Sequence, residues 1–260
     1  MKLSTIFAVF HTKSIPMSRI LCLFVALTLA QLSSAQLLIT TPSFPRDTTS
    51  ISFTVDCSKG NQGLFNYANT SDVYVHVGVI TNLSSTITDW KYVKFTWATT
   101  DPAARATSLG SNKYQYTINN IRNFFAVPAA EQILAVSVLF RNGAGTLVQR
   151  NIDASDMYIR TYTSAFAGKF LLPPFQPKYA PIPEPINKFV GDSLKISWLS
   201  NNTADIKLFF NGTQINAVSS SNLISDSVLI SNSGLQTVKI QATSGANTIT
   251  DSFEIGRAHV

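Results

Sequence analysis

Side chains two apart on a strand project to the same side, and this rule picks out the residues of the chain that could do chemistry. In Val73-Tyr-Val-His-Val-Gly-Val79 the four valines share one face, so Tyr74 and His76 share the other. A polar loop from Thr81 to Asp89 leads into Trp90-Lys-Tyr-Val-Lys-Phe-Thr-Trp97, where Trp90 and Tyr92 fall on one face and Val93, Phe95 and Trp97 on the other. With the valines and the second set in a core, Tyr74, His76, Trp90 and Tyr92 form a flat aromatic platform with a polar rim. Such a surface suits a sugar ring, whose C–H face packs on the π-cloud while indole N–H, phenol and imidazole bond its hydroxyls. The competing reading makes Trp90 the cover of a sheet edge, or a ring packed beneath a loop.

Hydrolytic chemistry has less to work with. Glycoside hydrolysis needs two carboxylates facing each other across a cleft at roughly 5 to 9.5 Å. The fourteen acids here are scattered, mostly at turns and strand starts such as Asp72, Asp89, Asp101, Asp192 and Asp205. The close pair is Asp153-Ala-Ser-Asp156, which reads equally as an Asx-rich turn; a Ca²⁺ ion there would find too few ligands. There is no nucleophile elbow, zinc spacing or phosphate loop, and Gly143-Ala-Gly145 reads as a hairpin tip. Cys57 would need an activating base to act as a nucleophile, and His76 is the histidine between leader and tail, so Cys57 reads as a small, half-buried strand-end residue. No catalytic residue, metal or cofactor is called for, and the chain is expected to have no enzymatic activity.

The elements that must position the aromatics are strands. The chain has 260 residues, 45% of them apolar and 11% aromatic, which is enough for packed cores and excludes disorder; only 13% are charged, the palette of an extracellular all-β protein. Arg19 followed by the apolar run Ile20–Ala30 and then Ser33-Ser-Ala35 has the form of a cleaved signal peptide over residues 1–35, with Met17 an alternative start. That run is too short for the roughly 20 residues a membrane span needs. The formal charge of +6 shrinks on inspection: Lys2, Lys13, Arg19 and Arg257 lie in the leader and tail, leaving sixteen basic against fourteen acidic residues over 36–254, a net +2 without a basic cluster. Nucleic acid is thereby a poor partner, and after cleavage the chain is expected outside the cell, free of the membrane.

Six prolines in Phe170–Pro185 cannot lie inside a strand or helix and read as a stiff linker over 169–185. The first module, residues 40–168, shows alternation in Ile51–Asp56 and at Tyr114, Tyr116 and Ile118. Ile133–Phe140 is apolar on both faces and reads as a central strand, a turn at Asn142-Gly143 leads to Thr146–Arg150, and Asn119–Phe125 is capable of a short helical turn. The second module, 186–254, shows strands at Ser193–Leu199, Asp205–Phe210, Asp226–Ile230, Gln236–Thr243 and Thr248–Phe253, with turns at Asn201-Asn202, Asn211-Gly212, Ser233-Gly234 and Ser244-Gly245. That spacing is immunoglobulin-like, with Trp198 in the core. The expected fold is therefore all-β: two tandem β-sandwich domains, immunoglobulin-like or carbohydrate-binding-module-like, joined by a proline-rich linker. The last six residues, Ile255–Val260, break the β-pattern and resemble the translation of a sequencing adapter, so the natural protein is expected to continue past Glu254. Asn69, Asn82, Asn201 and Asn211 head Asn-x-Ser/Thr triplets, to which no function is assigned.

Several stretches carry a resemblance: Val55-Asp-Cys-Ser-Lys-Gly-Asn-Gln-Gly, Asp72-Val-Tyr-Val-His-Val-Gly-Val-Ile-Thr, Asp89-Trp-Lys-Tyr-Val-Lys-Phe-Thr-Trp, Leu139-Phe-Arg-Asn-Gly, Asp156-Met-Tyr and Phe175-Gln-Pro-Lys-Tyr-Ala-Pro-Ile-Pro-Glu-Pro-Ile. Over nearly all of residues 41–254 the chain resembles the N-terminal region of secreted bacterial α-amylase-family proteins, in which β-modules precede a catalytic (β/α)8 barrel of glycoside hydrolase family 13. A barrel of some 250 residues does not fit in this chain. The Tyr-Val-His-Val-Gly strand followed by Trp90 is also similar to starch-binding modules of families 25 and 26, where a strand aromatic or His and a following Trp stack on α-glucan. Position by position the resemblance implies a carbohydrate-binding role for Tyr74, His76 and Trp90; Tyr92 rests on alternation alone. Two functions follow: an accessory region that holds an amylase-type enzyme on starch, or a structural or adhesive spacer whose aromatics are packed. Exposure of Tyr74, His76 and Trp90 separates them.

Overall fold

The computed structural model describes residues 36–163, 165–173 and 186–256; the leader, most of the proline-rich stretch and residues 257–260 lie outside the described residues. The architecture is all-β, as the alternation predicts. Strands β1 (Leu38–Thr41), β2 (Ile51–Asp56), β4 (Thr107–Gly110) and β5 (Lys113–Ile118) form one antiparallel sheet in the order β1-β2-β5-β4. Strands β3 (Val73–Thr81), β6 (Ile133–Asn142), β7 (Val148–Gln149) and β8 (Met157–Arg160) form a second, in which β3 flanks one side of β6 while β7 and β8 share the other. Their inner faces meet in one core, built from Ile51, Phe53 and Val55 of β2, the four valines of β3, and Val136, Val138 and Phe140 of β6. Each such side chain contributes about 1.5–3 kcal/mol on full burial.

Local chemistry sets the connections. Helix α1 (Ile121–Phe125) starts at Asn120, whose side chain accepts from Asn123 N, and ends at Ala126 in the left-handed region. The Asn142-Gly143 hairpin is held by Asn142 Oδ1, which accepts from the backbone N–H of Thr146 and Leu147. β6 is covered on both faces, as a central strand should be.

The second core lies among β9 (Gly168–Leu172), β10 (Ser193–Phe210), β11 (Thr213–Leu229), β12 (Gln236–Ser244) and β13 (Asn247–Ile255). Four expectations are corrected here. Asn201-Asn202 is no turn: β10 continues through it, with register shifts between Leu199 and Ile206, so that its first half pairs with β9 and its second with β12 while β11 follows both. The Ser- and Asn-rich stretch before Asp226 is strand as well, largely exposed and held by the β10 ladder. Residues 169–172, at the start of the expected linker, pair with β10. Ile255, expected to fall outside the β-pattern, is buried in this core and pairs with Gln236 and Ile186. Trp198 is fully buried, as expected, and donates from Nε1 to Asp251 Oδ2 at 3.0 Å.

Candidate functional site

The outward face of β3 carries Tyr74, His76, Gly78 and Ile80, and beside them β6 presents Ala135, Ser137, Leu139 and Arg141. This face is not open. Along the free edge of β3 runs the segment 91–97, bound where Val79 N donates to Lys91 O (2.9 Å), Lys91 N to Val79 O (2.8 Å) and Lys94 N to Val77 O (3.0 Å). Strand geometry ends there at once, because Tyr92 takes a positive φ of 53° and Ala98 one of 57°. The alternation expected of 90–97 is therefore lost: Phe95 is buried at 6% exposure, but Val93 and Trp97 are 44% and 40% exposed. Trp97 is a correction to the expected core.

From that edge strip the two tryptophans fold back over the sheet. Trp90 seats on Gly78, where a Cβ would press at 3.2 Å on its Cε3 and at 3.1 Å on Lys91 O, so the missing side chain makes the seat. Trp90 is partly buried, packed against Ile80, Ala135 and Tyr158, and Tyr158 Oη donates to Ile87 O at 2.7 Å, drawing the preceding loop over it. The His76 ring stacks on Trp90 with centroids 5.7 Å apart and planes 26° apart, and meets Trp97 edge-on at 5.0 Å and 88°. Burial lowers the His76 pKa and the charge of Arg141 lowers it further, against an opposing contact with the Phe95 backbone, a balance that favours the neutral imidazole.

Of the four residues expected to form a platform, the structure brings His76 and Trp90 together and leaves the other two apart. Tyr74 lies on the outward face but is only 2% exposed. The guanidinium groups of Arg105 and Arg141 each stand 5.7 Å from its ring, and its hydroxyl accepts from Arg105 Nη2 at 3.3 Å. Its expected availability to a ligand is thus corrected: charge and loop cover it. Tyr92 belongs to the opposite end of β3, donating to Glu131 Oε2 at 2.5 Å while Thr81 Oγ1 donates to Oε1 of the same carboxylate. These two bonds hold the Glu131 carboxyl below the usual range.

Trp97 is the aromatic that sequence reasoning missed. One face rests on Arg141, whose Cζ is 5.5 Å from the ring, and its Nε1 lies where a Cβ on Gly145 would come within 2.7 Å. Among the described residues, five buried side-chain polar atoms have no well-formed hydrogen bond, and four of them cluster on this face: His76 Nδ1, Trp90 Nε1, Ser137 Oγ and Arg141 Nε. The Trp90 N–H is near enough to Asp156 and Tyr158 to favour their ionised forms, although burial dominates and raises both, Tyr158 to about 12.

The remaining candidates are structural. Asp153 Oδ1 accepts from Ser155 N and Oγ, the expected Asx turn, and Asp156 pairs with Arg150 at 3.2 Å. Among the described residues no group of three or more His, Cys, Asp or Glu side chains is placed to hold a metal ion, and no helix is long and apolar enough to cross a membrane.

Neither a family model nor a curated protein matches the chain. Solved structures that match it include the fibronectin(III)-like modules of Clostridium thermocellum CbhA (9% identity, 85% of this chain and 93% of that chain, TM-score 0.25), the titin Ig tandem A164-A165 (8%, 82% and 90%, 0.26), and the central fibronectin-III array of RIM-binding protein (13%, 82% and 66%, 0.25).

Proposed function

We propose that this chain is a non-catalytic, secreted β-sandwich region that binds α-glucan weakly through His76, Trp90 and Trp97, and that it serves a catalytic domain of the α-amylase family. The observation that carries this reading is the exposed face of Trp97 beside the His76–Trp90 stack. His76 touches both indoles, stacked on Trp90 with planes 26° apart and edge-on to Trp97 at 88°, and together they offer a sugar an apolar surface with an imidazole at its centre. Tyr74 and Tyr92 drop out of the contact surface. The resemblance to amylase-associated N-terminal regions supplies the ligand class and the parent activity.

Affinity electrophoresis of the full chain in gels with and without soluble starch tests it. Retardation in starch, lost in Trp97→Ala, supports the reading; equal mobility in both gels removes it. A second reading, a spacer without sugar binding, is favoured by the burial of Tyr74 and by the packing of Trp90 on Ile80 and Tyr158. It expects no retardation at any starch concentration.

A further inference from the structure

Arg141 is the largest charged side chain in the interior, at 0% exposure. It takes part in none of the ion pairs among the described residues. Burying a guanidinium without a carboxylate costs several kcal/mol unless its N–H groups are satisfied. Here both terminal nitrogens are spent on backbone, Nη1 donating to Asn142 O (2.9 Å) and Gly143 O (3.0 Å) and Nη2 to Thr99 O (2.7 Å) and Thr96 O (3.4 Å), while Nε is left without a hydrogen bond. These carbonyls belong to two separate segments, the hairpin after β6 and the loop that carries Trp97. The cation itself is sandwiched between the rings of Tyr74 at 5.7 Å and Trp97 at 5.5 Å.

An apolar side chain would fill this space at lower cost, so what the arginine adds is a fixed distance between hairpin, loop and indole. From this geometry we infer that Arg141 is the positioning residue of the Trp97 surface: its fork ties loop 96–99 to the hairpin and its charge holds one face of Trp97 inward, leaving the other to the ligand. The role rests on the sugar-binding reading for its purpose, but not for its test. Lysine cannot replace it, since a single ammonium reaches no more than part of the fork.

The full chain, R141M and R141K are each measured beside a counterpart that also carries W97F, so that the Trp97 contribution to fluorescence is taken by difference. R141M keeps volume and removes the buried charge, and is expected to melt cooperatively. In both variants acrylamide quenching of Trp97 should rise about twofold and starch retardation fall about fivefold or more, because a desolvated cation–ring contact and its pre-organisation are lost. Folded R141M and R141K with Trp97 quenching as in the unmodified chain would overturn the inference. If the unmodified chain is not retarded by starch but quenching rises in the variants, the sugar reading fails and the positioning role stands.

Should both variants fail to fold, the ¹⁵N-labelled unmodified chain decides. The Arg141 Nε–H signal should be displaced by the flanking rings, lose part of that displacement in W97F, and move together with Trp97 Nε1–H on titration with maltoheptaose. A random-coil Arg141 signal, or a Trp97 signal that moves while Arg141 does not, sinks the proposal.

Discussion

Gly168 and Trp198 are in direct contact: a Cβ on Gly168 would stand 1.8 Å from Cζ2 of the Trp198 indole and 2.3 Å from Cη2. Trp198 is fully buried and is tied at Nε1 to Asp251, so the ring has nowhere to go. The glycine is what lets β9 lie beside β10 at this level. Gly168→Ala is therefore expected to destabilise the second core by about 3 kcal/mol, the upper range for an overpacked site. Chemical denaturation followed by Trp198 fluorescence checks it; an unchanged midpoint would mean that β9 is not held against the ring.

The two tryptophans of the first module should divide stability from binding. Trp90 covers Ile80, Ala135 and Tyr158, so Trp90→Ala should cost about 2–3 kcal/mol through the cavity it leaves. Trp97→Ala removes a ring that is 40% exposed and should cost about 1 kcal/mol, while abolishing retardation in starch gels. Thermal melts and affinity electrophoresis on both variants provide the comparison. A larger loss of stability in Trp97→Ala than in Trp90→Ala would reverse the assignment of the two rings.

This division runs against simple alternation, and the reason shows what a sequence can hold. The period-two pattern of Val73–Val79 is legible because both flanks of that strand are decided locally: valine faces a core and β6 supplies a full ladder. The same pattern in 90–97 misleads because that segment pairs with β3 at Val79 and Lys91, turns at once through a left-handed tyrosine, and meets the strand again through Lys94 N and Val77 O. Nothing in Trp-Lys-Tyr marks Tyr92 for a positive φ, and its hydroxyl goes to Glu131, 39 residues away. His76 and Trp90 were within reach of sequence reasoning because the strand rule places one and proximity the other. Arg141 was not, since a lone arginine in a strand gives no sign that four backbone carbonyls await it. The second module repeats the lesson: Asn201-Asn202 has turn composition, yet β10 runs through it, paired with β11 on either side of a register shift and tied by Asn201 N to Ala167 O at 3.0 Å and by Asn201 Nδ2 to Ala165 O at 2.7 Å.

Cys57 is fully buried at the end of β2, and burial with the neighbouring Asp56 charge pushes its thiol up to about 12. The thiolate needed for reaction is then absent at neutral pH. The folded chain at pH 8 should leave Cys57 unlabelled by iodoacetamide, with labelling appearing only as urea unfolds the domain, read by peptide mapping. Stoichiometric modification of Cys57 in the folded chain would show that the site opens far more readily than its packing allows.

Asp251 gives the second module a pH dependence of defined sign. Burial raises its pKa, and the opposing contributions of the Trp198 indole N–H, the Arg160 charge and the Ser252 N–H do not restore the ordinary value. A carboxyl whose folded pKa lies above its unfolded one contributes stability that is fully present when both states are protonated and is lost as the pH rises through the folded pKa. The ionised form at neutral pH is therefore a net cost to the fold, of about 1.4 kcal/mol for each unit of elevation. Asp251→Asn keeps the shape and an oxygen that can accept from Trp198 Nε1 while removing the charge. It should melt above the unmodified chain at pH 7, and the gap should narrow as the pH falls towards 4 and the native carboxyl takes up its proton. Melting curves of both proteins from pH 3 to 8 measure this directly. A gap that stays constant across that range, or an asparagine variant less stable at pH 7, would show that the carboxylate is favoured in place and that its bonds to Trp198 and Ser252 outweigh its burial.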